Sequence, residues 1–480
     1  MAIDDTLSTL IECFLLDAGK KQCLEEFTAR YAGRTAGSRR LAAENRPAFA
    51  DPPKPIRFHP ALKEICYPLA VARCQGARFW DVDSNEYADF SMGFGSNVFG
   101  HNPGFVQAAL REQIDRGFPV GVQSALAGEV ARQVSQLTGM ERVAFCTSGT
   151  EAVMTAIRVA RAVSGRERIA MFLGSYHGHF DGTLAGVNAA DPAGPAIPLG
   201  PGIPAAFVEK VLVLEYGAAE SLEILARQAG ELAAVLVEPL QTRQPHLSPG
   251  RFLIKLREIT QRSGAALIFD EMVTGFRIAP GGAQAWFGVK ADLATYGKAI
   301  GGGLPLALLA GRADYMNAMD GGPWTFGDAS LPRTDTTVFA STFAQHPLSL
   351  AAARATLRKM AEAGPALQDG LNRRTSALIA ELNRGLEEDG TALRYTGFAS
   401  LFAPAPPFNG DSSLPIRLLH YHLAERGVFL WGLSGFLSTA HGDGEMERLC
   451  AALRDSIRAL RQAGFELRGK PPASAQPAKT

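Results

Sequence analysis

The sequence has little of several features that mark particular protein classes. Its 48 lysines and arginines equal its 48 aspartates and glutamates, so no excess positive charge indicates binding to nucleic acid or to an anionic membrane. Its six cysteines are scattered without a CxxC pair, which argues against a zinc site or a disulfide framework and favours a cytoplasmic protein. The apolar stretch 10–16 contains Glu12 and lacks a basic region before it, so we expect an amphipathic helix rather than a signal peptide or membrane span.

Changes in composition along the chain predict its organisation. Four prolines between positions 52 and 60 interrupt a polar, helical N-terminal segment. In the sequence ARFWDVDSNEYADFS, which begins at Ala77, aromatic and apolar residues alternate with polar ones on both sides of an Asp-Ser-Asn turn. This pattern predicts a β-hairpin. The predicted parts are a helical segment and linker (1–55), the first part of a small lobe (56–104), a large domain (105–350), a C-terminal small domain (351–467) and a disordered tail (468–480).

Short apolar runs separated by helical stretches occupy the middle of the chain. They read RVAFCTSG, RIAMFLGSYHG, KVLVLEY, AAVLVEPL, AALIFDE and ADLATYGK. Continuous apolar strands require cover on both faces, so the pattern predicts an α/β domain with a mostly parallel sheet covered by helices. Asp270, Glu238 and Lys298 each follow such a run, and ligands collect at the carboxyl ends of parallel strands. We therefore expect these three residues to share a site.

Lys298 and Asp270 are the candidate catalytic residues. Lys298 lies in YGKAIGGGLP, an apolar surround that would lower its pKa and favour a Schiff-base lysine, although a lysine snorkelling from a loop is an alternative. A buried ionised Asp270 needs a cationic partner, and a protonated pyridine nitrogen is such a partner. The alternative for Asp270 is a cap on the following turn.

Two further segments are typical of ligand contacts. A strand, a Thr-Ser-Gly turn and a helix beginning near Thr150 form a phosphate seat in which Ser148 and Thr150 add hydroxyl donors, although plain N-capping is an alternative. In GSYHGHF, Tyr176 can stack on a flat ring. His177 and His179 lack a third ligand and a usual metal spacing, so hydrogen-bonded histidines are expected there and no metal.

Together, six motifs in this order resemble those of the class III aminotransferases, over about residues 60–460. The motifs are SGTEA (148–152), YHG (176–178), VEP (237–239), DEMVTGFR (270–277), YGKAIGGGLP (296–305) and STFAQHPLSLAA (341–352). The resemblance implies a fold type I pyridoxal-phosphate-dependent transferase, with a small α+β lobe built from both terminal segments.

The resemblance also implies residue roles. Lys298 would carry pyridoxal phosphate as a Schiff base and Asp270 would bind its pyridine nitrogen. The other implied cofactor contacts are Ser148, Gly149 and Thr150 at the phosphate, Tyr176 on the ring, His177 and Glu238 beside it, Met272 on the other face, and Thr342, which matches a Thr that reaches the neighbouring subunit's phosphate. A homodimer with shared active sites follows from the last of these.

Within the class, the likeness is greatest to glutamate-1-semialdehyde aminomutases and to aminotransferase domains of polyketide and nonribosomal peptide synthases. The aminomutase substrate carries a carboxylate, for which an arginine is expected before the first strand. That segment has Lys63, Glu64 and Ile65, with Arg73 further on. We therefore expect ping-pong transfer from an amino acid to a β-keto acyl thioester, possibly carrier-bound, or to an aldehyde in secondary metabolism. Gly432 stands where an acidic residue often follows the tryptophan of such domains, so it leaves the acceptor open.

Three alternatives stay open at this point. An aminomutase would move the amino group within one molecule. A decarboxylase or an epimerase on the same fold would keep Lys298 and Asp270 but would not bind two substrates in turn. A catalytically silent binding protein would be expected to lose one of these two residues, and the sequence retains both.

Overall fold

A computed structural model of the protein describes residues 16–50, 58–188, 191, 194–411 and 413–469. The stretch 10–15, most of the proline-rich linker and residues 470–480 of the predicted tail lie outside these ranges. The chain forms two compact units. The terminal unit comprises the described residues up to 94, those at 98–103 and those from 373 onward, and the central unit comprises residues 95–97 and 104–372.

The central unit is built on a seven-stranded sheet. In spatial order the strands are Arg142–Cys146, Ala307–Gly311, Leu293–Tyr296, Ala266–Asp270, Leu232–Val237, Arg168–Phe172 and Val211–Leu214. The strand Ala307–Gly311 is antiparallel to both neighbours, and the other pairs are parallel. The predicted α/β fold with a mostly parallel sheet is confirmed.

Helices of the central unit surround this sheet. The α-helices are Gly104–Arg116, Leu126–Thr138, Gly149–Ser164, Ala205–Val208, Ala219–Gln228, Gly250–Ser263, Gly282–Phe287, Ala313–Met316 and Pro347–Ala363, with 3₁₀ turns at Asp181–Thr183, Ala229–Glu231, Lys298–Gly301 and Asn317–Met319 and a short strand pair at Ala185–Gly186 and Ile197–Pro198. The strand Leu232–Val237 is buried at every position, as a doubly covered strand requires. Gly264, at φ 72°, ends the helix Gly250–Ser263 and turns the chain back into the next strand.

The terminal unit contains two small sheets. One has the order Val71–Gln75, Arg78–Asp81, Glu86–Asp89, Val428–Phe429, and the other has Tyr395–Phe398, Leu401–Pro404, Gly435–Phe436. Its helices are Ala18–Arg34, Ala36–Asn45, Pro60–Ile65 (3₁₀), Met92–Gly95 (to position 94), Ala366–Glu388 (from position 373), Leu414–Glu425 and Asp443–Gln462. The predicted hairpin is present, because Arg78–Asp81 pairs antiparallel with Glu86–Asp89. The buried carboxylate of Asp81 holds its turn by accepting from the backbone N–H groups of Asp83 and Asn85.

The unit boundaries can be compared with the sequence-based division. The predicted start of the large domain at 105 lies next to the observed start at 104. The predicted end at 350 falls inside the helix Pro347–Ala363, which packs against Gly104–Arg116 and Leu126–Thr138, and the central unit continues to Asn372. Within the described ranges, every helix is too short or too polar to span a membrane.

Candidate active site

Asp270 ends a central strand of the sheet and is 5% exposed. Its Oδ2 lies 2.7 Å from Nδ1 of His177, and its Oδ1 accepts hydrogen bonds from the Thr295 hydroxyl (3.1 Å) and the Met272 backbone N–H (3.2 Å). The contact with Met272 is the turn cap that the sequence offered as an alternative. The contact with His177 is additional, and it makes Asp270 part of a buried polar pair.

His177 is enclosed by the fold. Its side chain is 0% exposed, and Nε2 has no hydrogen-bond partner among the described residues. Asp270 is therefore the hydrogen-bond partner of Nδ1 and not of Nε2. His179 differs, because it is exposed and only its backbone N–H makes a contact, with the Thr150 hydroxyl at 3.3 Å. The described residues contain no group of three or more His, Cys, Asp or Glu arranged for a metal ion.

Lys298 follows the strand Leu293–Tyr296 and adopts a left-handed backbone conformation, with φ 43°. Such a conformation is strained for a residue with a side chain and occurs at functional sites. Burial lowers the pKa of Lys298, and the nearby carboxylates of Asp270 and Glu238 raise it by less. Nζ makes no hydrogen bond or ion pair with the described residues. Lys298 is half-buried. An amine of lowered pKa is neutral at a lower pH than a solvated, snorkelling lysine, so it is the better nucleophile.

Glu238 follows the strand Leu232–Val237 and joins two loops of the same edge. Its Oε1 accepts from the backbone N–H of Tyr176 at 2.7 Å, and its Oε2 accepts from that of Thr242 at 3.2 Å. Burial raises the pKa of this carboxyl, while His177 and the two backbone N–H groups lower it. Glu238 thus fixes the backbone at Tyr176, a residue that is 54% exposed.

The turn before the helix Gly149–Ser164 provides backbone amides for a ligand. The Ser148 hydroxyl accepts from the Glu151 backbone N–H at 3.3 Å, which is the N-cap that the sequence offered as an alternative. Its own hydrogen is not consumed by that contact. The backbone N–H groups of Gly149 and Thr150 make no hydrogen bond with the described residues. An anion can therefore bind this helix N-terminus.

Close backbone approaches surround the same turn. A Cβ at Gly178, which has φ 84°, would lie 2.3 Å from Oγ1 of Thr150. A Cβ at Gly149 would lie 3.0 Å from Sδ of Met272, and one at Gly297 would lie 2.8 Å from that sulfur. Met272 also packs against the apolar cluster that contains Cys146. Glycines at these positions let the turn, the Tyr176 loop and Met272 converge on one space.

Thr342 lies on a segment that approaches this turn within the same chain. The hydroxyl of its neighbour Ser341 is 3.1 Å from the Thr147 hydroxyl. Thr342 itself lines a cavity of about 880 Å³ together with Phe145 and Gln123. The structure thus gathers Lys298 and the cofactor candidates of the turn, the Tyr176 loop, Glu238 and Asp270 at one sheet edge, with Thr342 nearby.

Sequence reasoning missed several residues of this edge. Thr295 holds Asp270, and Gln241 donates to the Leu173 carbonyl (2.8 Å) and the Ser175 hydroxyl (3.0 Å). Glu271 accepts from the backbone N–H groups of Ala283 and Gln284, and burial raises its pKa to about 7. Only Glu271 had a signal, as a second acid directly after Asp270. Thr295 and Gln241 are single polar residues in largely apolar segments, and nothing in the sequence distinguishes them.

Comparison with known proteins agrees with this geometry. The family model "Aminotransferase class-III" matches residues 61–398. This chain belongs to the class III aminotransferases. A glutamate-1-semialdehyde 2,1-aminomutase from Roseiflexus castenholzii is 35% identical over 448 residues, which cover 90% of this chain and 99% of that protein.

Solved structures of class III enzymes have the same fold. An omega-transaminase from Sphaerobacter thermophilus superposes with a TM-score of 0.78 and 31% identity, over 88% of this chain and 98% of the other. A glutamate-1-semialdehyde aminomutase from Pseudomonas aeruginosa PAO1 in complex with PMP has a TM-score of 0.77 and 26% identity, over 93% and 99%. The predicted fold type I, enzyme class and pyridoxal phosphate dependence are confirmed.

The residues of this edge fit that cofactor. A phosphate needs backbone donors at a helix N-terminus, which Gly149 and Thr150 supply. A protonated pyridine nitrogen needs a buried carboxylate, which Asp270 supplies. An aldehyde needs an amine of lowered pKa, which Lys298 supplies.

Proposed function

We propose that the central unit holds pyridoxal phosphate at the carboxyl edge of its sheet and transfers an amino group there. The convergence of Lys298 and Asp270 on one sheet edge carries the proposal, because the Asp270 carboxylate is near enough to raise the pKa of Lys298. Lys298 Nζ would hold the cofactor covalently, and the Asp270 carboxylate would hold the proton on its pyridine nitrogen. When bound, the cofactor withdraws electrons from the carbon that bears the amino group.

The chain's own groups then have separate tasks. With the cofactor and substrate bound, Lys298 Nζ would take the proton from the substrate carbon and return it to the other reacting carbon. Burial favours the neutral amine that this step requires. The proposed cofactor contacts are Ser148, Gly149 and Thr150 at the phosphate, Tyr176 and Met272 on the ring faces, and His177 and Glu238 as supports of Asp270 and of the Tyr176 backbone.

For the reaction, we favour the amino shift of an aminomutase on a small amino aldehyde that carries a carboxylate. The support is the set of curated relatives named glutamate-1-semialdehyde 2,1-aminomutase, including one from Archaeoglobus fulgidus that is 34% identical over 82% of this chain and 93% of that protein. This ranking reverses the sequence-based preference for a synthase-associated transferase.

A transferase acting on a β-keto acyl thioester or an aldehyde is the second candidate. One observation in the terminal unit favours it. At the expected place for a carboxylate-binding arginine, Glu64 pairs with Arg39 and Ile65 is buried. The Arg73 guanidinium lies 3.5 Å from the centre of the Trp80 ring. Residues 63–65 therefore contain no arginine for a substrate carboxylate, and the described contact of Arg73 is with an aromatic ring.

Absorbance spectroscopy of the cofactor-loaded protein separates the candidates. We expect glutamate 1-semialdehyde to be converted to 5-aminolevulinate without an added amino donor. Conversion of acyl or aldehyde acceptors only after an amino acid has bleached the cofactor band would instead establish the transferase. Release of CO₂ or inversion of the substrate carbon without bleaching would establish a decarboxylase or an epimerase, and no spectral response to any amine would refute all four.

We further propose that a second copy of the chain covers an apolar surface of the central unit. Phe326 is 87% exposed and Val338 is 80% exposed, and Leu331 and Phe343 are exposed as well. Large exposed apolar side chains on one segment indicate an interface. The segment leads into Thr342, which would then reach the neighbouring subunit's phosphate.

Sedimentation velocity tests this assembly. We expect a dimer for the wild type and a shift toward monomer for Phe326→Asp, because a buried unpaired carboxylate is unfavourable in an interface. Phe207→Asp is the matched control, since Phe207 is an exposed phenylalanine outside this segment. A monomeric wild type at micromolar concentration would contradict the shared-site proposal.

A further inference from the structure

Polar side chains of the segment 238–244 bind the Tyr176 loop. Glu238 binds the Tyr176 backbone, and Gln241 binds the Leu173 carbonyl and the Ser175 hydroxyl. Gln244 donates to the Gln241 side chain at 2.8 Å. These hydrogen bonds join the two loops, so they hold segment 238–244 beside the Tyr176 loop.

Arg243 is the outermost member of this segment. Its side chain is exposed, and the guanidinium carbon lies 5.4 Å from the centre of the Tyr176 ring. This distance is within the range of a cation–π contact, which favours a guanidinium beside an aromatic face. A positive charge is thereby kept next to the residue proposed to stack on the cofactor.

The sequence of the edge loops limits which cations could serve an anionic substrate. Segments 147–152, 173–180, 238–244, 270–277 and 297–303 contain one lysine and two arginines, which are Lys298, Arg243 and Arg277. Lys298 is committed to the cofactor. Arg277 is 1% exposed and donates to the Gly95 carbonyl, so it faces the interior. Arg243 is the exposed cation of the set.

We propose that Arg243 binds the carboxylate of the amino acid substrate. The inference rests on the proposed function, since both candidate reactions use a substrate that carries an amine and a carboxylate. A guanidinium presents five N–H donors in a planar fork, and this geometry matches a carboxylate through two parallel hydrogen bonds. Arg243 thus supplies the recognition that residues 63–65 do not.

Paired substrates that differ only in charge test this role. The cofactor-loaded enzyme is mixed with L-alanine or L-alaninamide, and with 5-aminolevulinate or its carboxamide, and the rate of change of the cofactor absorbance is recorded. For Arg243→Gln we expect the apparent second-order rate constants of the carboxylates to fall roughly tenfold or more, because a charge-assisted hydrogen-bonded pair is lost. Those of the amides should stay within about twofold.

Binding without turnover gives a second reading. Calorimetric titration with levulinate should show an affinity that falls by a similar factor in Arg243→Gln and by less in Arg243→Lys, which keeps the charge but loses the fork. Arg262→Gln is the control, because Arg262 is exposed in the last turn of the helix Gly250–Ser263. The affinity for pyridoxal phosphate should be unchanged in all three variants.

The outcomes separate this inference from the proposed function. If Arg243→Gln slows carboxylates and amides equally, or leaves both unchanged while the wild type responds to amines, the inference is wrong and the proposed function stands. If the wild type responds to no amine and binds no levulinate, both are wrong. A selective loss for only one substrate pair would assign Arg243 to that substrate's carboxylate.

Discussion

Lys298→Ala is expected to abolish turnover while the protein stays folded. Nζ is the proposed covalent attachment and the proposed base, and a general base alone contributes about 10²- to 10⁴-fold to a rate. The side chain makes no hydrogen bond or ion pair with the described residues, so its removal leaves no buried partner without a bond. Alanine accepts the left-handed backbone at this position at about the same cost as lysine. Circular dichroism and thermal melting should therefore be close to those of the wild type.

Three comparisons make this result specific. Lys290→Ala, at an exposed lysine of the same unit, should keep full activity. Lys298→Arg should be as inactive as the alanine variant, because a guanidinium does not lose its proton at any working pH. Exogenous methylamine should restore part of the activity of Lys298→Ala but not that of Lys298→Arg. Normal turnover by the alanine variant would contradict the assignment.

The pKa of Lys298 gives this position a pH dependence. Burial lowers the pKa, so the amine becomes neutral at a lower pH than the ordinary value of 10.5. The capture of pyridoxal phosphate by the cofactor-free protein should accelerate as the pH rises and reach its plateau below pH 10.5. The same shift destabilises the folded chain below pH 10.5, and the free energy of unfolding rises with pH between the lowered pKa of the folded chain and 10.5, where the unfolded chain binds this proton more readily.

The sequence could predict which strands end at the site because burial leaves a clear signal in residue type. The runs before Glu238, Asp270 and Lys298 are continuous apolar text, and each corresponds to a fully buried strand of one sheet. Chain direction then requires their carboxyl ends to meet at one edge. The strand Ala307–Gly311 was missing from the predicted runs, although it too is buried at every position, and its antiparallel direction leaves no signal in residue type.

The contacts between side chains could not be predicted in the same way. The pairing of His177 with Asp270 joins residues 93 positions apart, and the bond from Tyr176 to Glu238 spans 62 positions. Such contacts depend on strand order in the sheet rather than on local text. The resemblance to the family motifs predicted that these residues share one site, but it did not predict which atoms are hydrogen-bonded to each other.

Asp270→Asn is expected to reduce turnover by roughly 10²- to 10³-fold while pyridoxal phosphate still binds. The amide has the shape of the carboxylate, so its oxygen can still accept from Met272 and Thr295. It lacks the negative charge that holds a proton on the pyridine nitrogen, so electron withdrawal weakens. The ¹⁵N chemical shift of the bound cofactor should move toward that of an unprotonated pyridine. An unchanged shift and an unimpaired rate would refute the role.

A second buried aspartate of the same sheet distinguishes chemistry from stability. Asp292 is 3% exposed and precedes the strand Leu293–Tyr296, where it pairs with Arg257 at 2.8 Å and Arg312 at 3.1 Å. Asp292→Asn leaves these guanidinium groups with less charge compensation, so it should lower the free energy of unfolding by about 1–3 kcal/mol and leave the cofactor's ¹⁵N shift unchanged. Asp270→Asn should have the opposite profile, with a small change in stability and a large change in that shift. If both variants lost only stability, Asp270 would be a structural residue, because a carboxylate that binds the pyridine nitrogen must alter the cofactor itself.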